Sequence, residues 1–475
     1  MIPTFQTLPF ARRCMLAGVV TGPLALMLLS GCASMIDSSP PTPGQISGRY
    51  IAVICDADMS ATAFADGLLS RRSPDDRDML TVIRLPLREP GPNEQSTQTD
   101  FAQVEVSNSV MGPARSLSVT PCGTLALVLE TRGRAGPGAL RVGDLPAGRV
   151  MTPIDLRDPM NPIVGGLIDV PSPPVGVDIS PRGDWAAVAT NQPGSQLIFF
   201  PIRRGEDGGL MVDSAGRQTF DLPGLEGAAV SSVIWHPSGR YVALTMPQSN
   251  SVAFYEVGRD SESLQLARWG APVEVGPYPF DGAFTPDGRR FIATELHWGT
   301  NVDGYLIGAP EGSLSVIELS RIPSAVLSSG ASGEAPVVEH TVTDTVRVGI
   351  SPEGLAISPD GRWVVTANLR RSMLPASDPR MTPGGSLTLL SMGRDGKLVA
   401  HGEFDLNAMP EGIAFDARGR HVVVTQFRSF DPNAVDGELS FHKLVPSGDN
   451  GQPTLVPGRF TVGVGVGPHG VVIVR

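Results

Sequence analysis

The chain has 475 residues, of which 55 are glycine and 44 proline, and only 18% are charged. That mixture fits a turn-rich β protein better than a helical one. The net charge is −11 at pH 7, and it becomes −13 once residues 1–31, with Arg12 and Arg13, are removed. An acidic chain without a basic run argues against nucleic acid as a partner, because phosphate contacts need clustered Lys and Arg, and it is a poor match for anionic lipid headgroups.

Two arginines precede an apolar run that is short and broken by Pro23, which reads as a signal peptide over residues 1–31 rather than a membrane span. Its end, Leu29-Ser30-Gly31-Cys32, resembles the lipobox of bacterial lipoproteins. The resemblance implies cleavage before Cys32, lipid on its thiol and, with Ala33 next, a place on the periplasmic face of the outer membrane. The Ser/Pro-rich residues 32–47 are expected to be a disordered tether. Cys55 and Cys122 fall on opposite faces of the repeat described below, so no disulfide is expected between them.

From residue 48 onward one signature recurs: two β-rich runs joined by a turn such as Ser358-Pro359-Asp360-Gly361-Arg362. Proline presets φ and glycine tolerates φ > 0, so each copy predicts a β-hairpin. The turn glycines stand at 48, 123, 183, 239, 288, 361 and 419, with gaps of 75, 60, 56, 49, 73 and 58 residues. A third strand-like run follows each hairpin, as in Ser386–Met392, and usually a fourth, as in Leu398–Leu406. Four strands per unit at this period describe propeller blades. The first unit lacks an innermost strand, and residues 467–474 supply one with no hairpin after it. The predicted fold is therefore all-β: a seven-bladed β-propeller of four-stranded blades spanning 48–475 as one domain, the C-terminal strand completing the N-terminal blade.

Val364-Val365-Thr366-Ala367-Asn368 and Ala187-Val188-Ala189-Thr190-Asn191, each after a Ser-Pro-x-Gly turn, resemble the YVTN-type, WD-like repeat of seven-bladed propellers. That superfamily includes the 6-phosphogluconolactonase-like lactonases. The resemblance covers nearly all of 48–475, and its motifs hold hairpins together without doing chemistry.

In such a ring the loops entering the innermost strands share one face with those that link second and third strands. Aligning the copies places Asp281, Glu353, Glu411, His469 and Arg115 around one side of the channel mouth. The second-to-third-strand loops of blades five to seven add Glu295, His297, Asn368, Arg370, Arg371, Gln426 and Arg428. Crowded carboxylates raise one another's pKa, which suits a general acid or base. The competing expectation is that Glu353 and Glu411 pair with Arg370 and Arg428 to satisfy buried charge.

No Gly-x-Ser-x-Gly elbow, Cys-x-x-Cys-His, His-Glu-x-x-His or EF-hand loop occurs, so no cofactor is expected, and the scattered histidines form no recognisable metal set. Trp185, Trp235 and Trp363 read as core. The leading expectation is an envelope lipoprotein whose channel mouth binds a small molecule or an envelope protein. The alternative is a lactonase-type hydrolase in which Glu353 or Glu411 positions water, His469 assists proton transfer and the arginines polarise the carbonyl.

Overall fold

The computed structural model describes residues 37–69, 77–88, 100–108, 115–260, 263–298, 311–320, 338–427, 437–447 and 451–475. Cys32, the signal segment and Arg428 lie outside them. Among the described residues no helix is long and apolar enough to cross a membrane.

The strands form seven antiparallel sheets, each built from four or five strands and each running outward from an innermost strand. The turns form as the sequence dictates. Gly361 adopts φ 70°, and the equivalent glycines 123, 183, 239, 288 and 419 lie between 65° and 70°, a region in which a side chain is strained. The Ser or Thr that opens the turn then caps the second strand: Trp363 N–H donates to Ser358 Oγ (2.9 Å), as Arg290 N–H does to Thr285 Oγ1 (3.1 Å). Gly48 is the exception. Its φ of 155° lies far from theirs, because no innermost strand precedes it and there is no hairpin to turn.

Blade 1 closes the ring. Its strand Tyr50–Cys55 lies between Met79–Arg84 and the C-terminal strand Pro468–Val474, in register Tyr50↔Val474 and Ile51↔Ile473. Arg49 N–H to Val474 O (2.7 Å) and Asp56 N–H to Gly467 O (2.9 Å) bracket the pairing. Tyr50–Cys55 is thereby paired on both sides and is not left as an edge strand.

The core is distributed. A separate apolar cluster fills each of the seven interfaces between neighbouring blades, including the one across the closure, between blades 7 and 1. Strand periodicity makes this possible: Ile51 and Val53 face blade 7, whereas Ala52 and Ile54 face blade 2. Trp235 is core, with Trp185 and Trp363 packed at its edge. Cys55 is buried and Cys122 exposed, and the two are not joined in a disulfide.

One expectation is corrected. The tether is not free up to residue 47. Residues 43–45 form a 3-10 turn, Ile46 is buried between blades 7 and 1, and Lys443 Nζ reaches Asp37 Oδ2 at 2.6 Å. Ser47 donates from N (3.1 Å) and Oγ (2.6 Å) to Asp416 Oδ2, which also takes up His421 Nδ1 at 3.0 Å. Composition alone missed this because a single buried isoleucine and one latching carboxylate suffice to dock a short segment.

Candidate functional site: a buried carboxyl cluster at the channel mouth

Each innermost strand enters the channel at the same point, and there the sequence places Asp281 in blade 5, Glu353 in blade 6, Glu411 in blade 7 and His469 in blade 1. Each is followed by glycine, and close approach of the blades requires it. A Cβ on Gly354 would overlap the carbonyl oxygen of Glu411, and one on Gly412 the carbonyl oxygen of His469. The backbones therefore approach closely enough for the side chains of adjacent blades to interact directly.

The predicted grouping forms. Arg115 of blade 2 donates from Nε to Asp281 Oδ1 at 2.7 Å, and its Nη2 donates to Gly282 O. Burial opposes the Arg115 charge, but Asp281 and Asp178 outweigh it and hold the guanidinium above its ordinary pKa. Glu353 is 3% exposed and Glu411 6%, and Glu353 Oε2 and Glu411 Oε1 have no hydrogen-bond partner among the described residues. Burial, then the charge of Asp281, pushes Glu353 up to about 8. Burial, then the charge of Glu353, pushes Glu411 well above the carboxylate range. His469 Nε2 lies 2.6 Å from Asn108 Oδ1, and burial lowers its pKa to about 4. The imidazole is thus neutral and, with the amide oxygen as acceptor, carries its proton on Nε2.

The anticipated pairing with arginine does not occur for Arg370. Its Nε donates to Glu403 (2.8 Å) and its Nη2 to Asp405 (2.7 Å), both on the outermost strand of blade 6. Both acids lie at the end of Leu398–Asp405, in easy reach of a side chain leaving the second strand. Glu295 and Asn368 end the second strands of blades 5 and 6, Gln426 stands one residue before the end of that of blade 7, and each binds a serine of the third strand. Ser313 donates to Glu295 Oε2, Asn368 Nδ2 to Ser386 (3.1 Å) and Gln426 Nε2 to Ser440 (2.7 Å). His297 Nε2 meets the same Ser313 at 2.7 Å. Their polar atoms are absorbed inside their own blades.

The structure adds residues that the alignment passed over. Asp56 follows the second strand of blade 1, where blades 5 and 6 place Leu296 and Leu369. All three donate N–H to the residue preceding the innermost strand, namely Gly467, Tyr278 and Ser351. Those acceptors share left-handed φ values of 60°, 58° and 54°, so the positions are equivalent. Leu296 and Leu369 join Met59, Phe64, Trp298, Met373 and Phe427 in an apolar cluster built from the loops on this face. Asp56 instead turns to Asp78 and Asp58. It is fully buried, its Oδ2 has no hydrogen-bond partner among the described residues, and its pKa is raised by burial and then by Asp78. Asp78 is pushed up to about 7 by burial. Asn108 links the two groups, its N–H on Asp78 Oδ2 (3.2 Å) and its Oδ1 on His469. The sequence signal was an Asp-Ala-Asp leaving a wholly apolar strand.

A surface cleft of 610 Å³ opens among the hairpin turns of blades 5 and 6, on the opposite rim. Its Arg362 and Arg289 are held by Asp360 and Asp287 of their own turns, 2.7 and 3.7 Å away.

No protein-family model matches the chain, and no curated protein matches it. Solved structures do. The periplasmic gluconolactonase PpgL of Pseudomonas aeruginosa is 18% identical, with 90% of this chain and 99% of that one covered at a TM-score of 0.54. A candidate 6-phosphogluconolactonase from Bacteroides fragilis is 12% identical over 92% of this chain and 100% of its own, with a TM-score of 0.55. A hypothetical selenium-binding protein from Sulfolobus tokodaii aligns at 11% identity over 91% and 96%, with a TM-score of 0.52. Likeness at this identity carries the fold and not the activity. The chain is a seven-bladed β-propeller similar in fold to these proteins, with a channel mouth lined by buried carboxyls.

Proposed function

We propose that the channel mouth is the site of a hydrolase acting on an unphosphorylated lactone of the sugar-acid kind. The observation that carries this reading is the pair Glu353 and Glu411: buried carboxyls on neighbouring blades, each with an unpartnered oxygen, and both shifted toward the protonated form. Two such carboxyls ionise one at a time, so one acts as base while the other remains an acid. Glu353, the less perturbed, accepts the proton of the attacking water as that oxygen bonds to the lactone carbonyl carbon. Glu411 gives its proton to the ring oxygen as the acyl C–O bond breaks, leaving a hydroxy acid. Arg115, held by Asp281, supplies fixed positive charge for the carbonyl oxygen. Crowded acids disfavour a phosphate on the substrate. The fold shared with PpgL, described as a periplasmic gluconolactonase, supports the reading.

The test is hydrolysis of a panel of sugar lactones, phosphorylated and not, followed by acid release. Wild type should exceed the spontaneous rate on unphosphorylated members, and Glu353→Gln or Glu411→Gln should lower kcat by about 10²–10⁴. Wild type that accelerates no lactone defeats the proposal, leaving the mouth as a binding site only.

We further propose that the protein works in the cell envelope, anchored through Cys32, on the support of the Leu29-Ser30-Gly31-Cys32 sequence. Labelled palmitate should enter the wild-type chain and be lost on Cys32→Ala. Equal labelling of both would refute the anchor.

A further inference from the structure

We propose that Asp56, Asp58 and Asp78 form a binding site for a hard divalent cation of the size of Ca²⁺, built into the closing blade beside the carboxyl pair. One oxygen from each residue lies within 4.8 Å of the others. Oxygens of one Ca²⁺ coordination shell stand no more than about 4.6–5.2 Å apart, so this spacing is compatible with three donors to a single ion. An all-carboxylate donor set selects Ca²⁺, Mg²⁺ or Mn²⁺ over thiophilic metals.

The second observation is Asp56 itself. It is wholly buried, with Oδ2 lacking a hydrogen-bond partner among the described residues, at a position where blades 5 and 6 use leucine. A lone buried carboxylate in place of a packing leucine is costly unless something of opposite charge meets it. Among the described residues neither Asp56, Asp58 nor Asp78 forms an ion pair. Arg134, whose charge acts on Asp78, lies 3.7 Å from Glu105.

The donors are also held in place. Asp56 Oδ1 accepts N–H groups from Asp58 (2.9 Å) and Met59 (3.1 Å), and Asp58 Oδ2 accepts one from Ala135 (3.3 Å). Asp78 accepts from Ala57 (2.9 Å) and Asn108 (3.2 Å). Asp56 Oδ1 is used by its two donors, which leaves Oδ2 for a metal, while Asp58 Oδ2 and both Asp78 oxygens accept one hydrogen bond each and keep a second lone pair. A bound ion would tie the turn after the second strand to the start of the third and to the segment at Asn108, and would put positive charge next to Glu411, whose own charge acts on Asp56.

The inference does not depend on hydrolysis and is tested without a lactone. The full chain, stripped with chelator, is titrated with CaCl₂ by calorimetry and by thermal melting. One ion per chain is expected, with a rise in Tm of about 3 °C at saturation. Asp58→Asn, at a half-buried position that tolerates the change, and Asp56→Asn should each weaken binding at least about tenfold, whereas Asp207→Asn on a distant exposed turn should not. Absence of heat and of any Tm change with Ca²⁺, Mg²⁺ and Mn²⁺ at about 5 mM overturns the proposal, as does unchanged affinity in both Asp56→Asn and Asp58→Asn.

Discussion

Deleting residues 468–475 is expected to abolish cooperative folding of the entire ring, although it removes only one strand of one blade. That strand carries the innermost pairing of blade 1, and the partner Tyr50–Cys55 is buried at every position. Ile473 and Val474 contribute to the two clusters on either side of the blade, at about 1.5–3 kcal/mol each. The lost ladder adds about 1 kcal/mol per hydrogen bond. The sum approaches the 5–15 kcal/mol that typically holds a folded protein together. The remaining chain would also expose two unpaired edges and aggregate. Thermal melting and gel filtration read the outcome. A permuted chain with this strand moved ahead of Ile46 through a short linker should recover the fold, and a sharp, unshifted melt for the truncated chain would contradict the closure.

The second large effect is a stability that declines as pH rises through neutrality. Glu353 has a folded pKa of about 8 against an ordinary 4.5. Between those values the unfolded chain releases the proton while the folded chain keeps it. Its contribution is therefore complete below pH 4.5 and lost as pH climbs to about 8. Asp78, raised to about 7, acts in the same direction. His469 and His442 act the opposite way. Lowered by burial from 6.5 to about 4, their contribution is complete above pH 6.5 and lost below it. The interval from pH 6.5 to 8 thus isolates the acids. At about 1.4 kcal/mol per pH unit per group, Glu353 alone should remove about 2 kcal/mol across it. Denaturant unfolding with chelator present should show this slope in wild type and a shallower one in Glu353→Gln. Identical slopes would mean that Glu353 is already ionised in the folded chain.

The two effects differ in how far sequence could reach them. Architecture was written in local, repeated signals. A turn such as Thr285-Pro286-Asp287-Gly288 works through its own φ values and its own Ser/Thr cap, so each copy is readable without its neighbours. The short fragment after Gly467 then forced the closure by counting. The identity of the mouth residues followed too, because blades in register place Glu353, Glu411 and His469 at matching positions.

What those side chains meet was not local. Arg370 was expected to face Glu353, yet a left-handed φ of 55° turns the chain and two acids of the outer strand take up its charge. Glu295, Asn368 and Gln426 pointed toward the mouth by alignment and are consumed by serines of the adjacent strand. Asp56, Asp58 and Asp78 escaped notice because their meeting depends on strand pairing and loop return rather than on spacing.

The sequence by itself determined the ring, since periodic apolar strands and glycine turns act over a few residues and repeat. Tertiary structure alone decided the electrostatics of the mouth. Whether a carboxyl is paired, protonated or left for a cation depends on burial and on charges brought from other blades, which no single stretch of the chain contains.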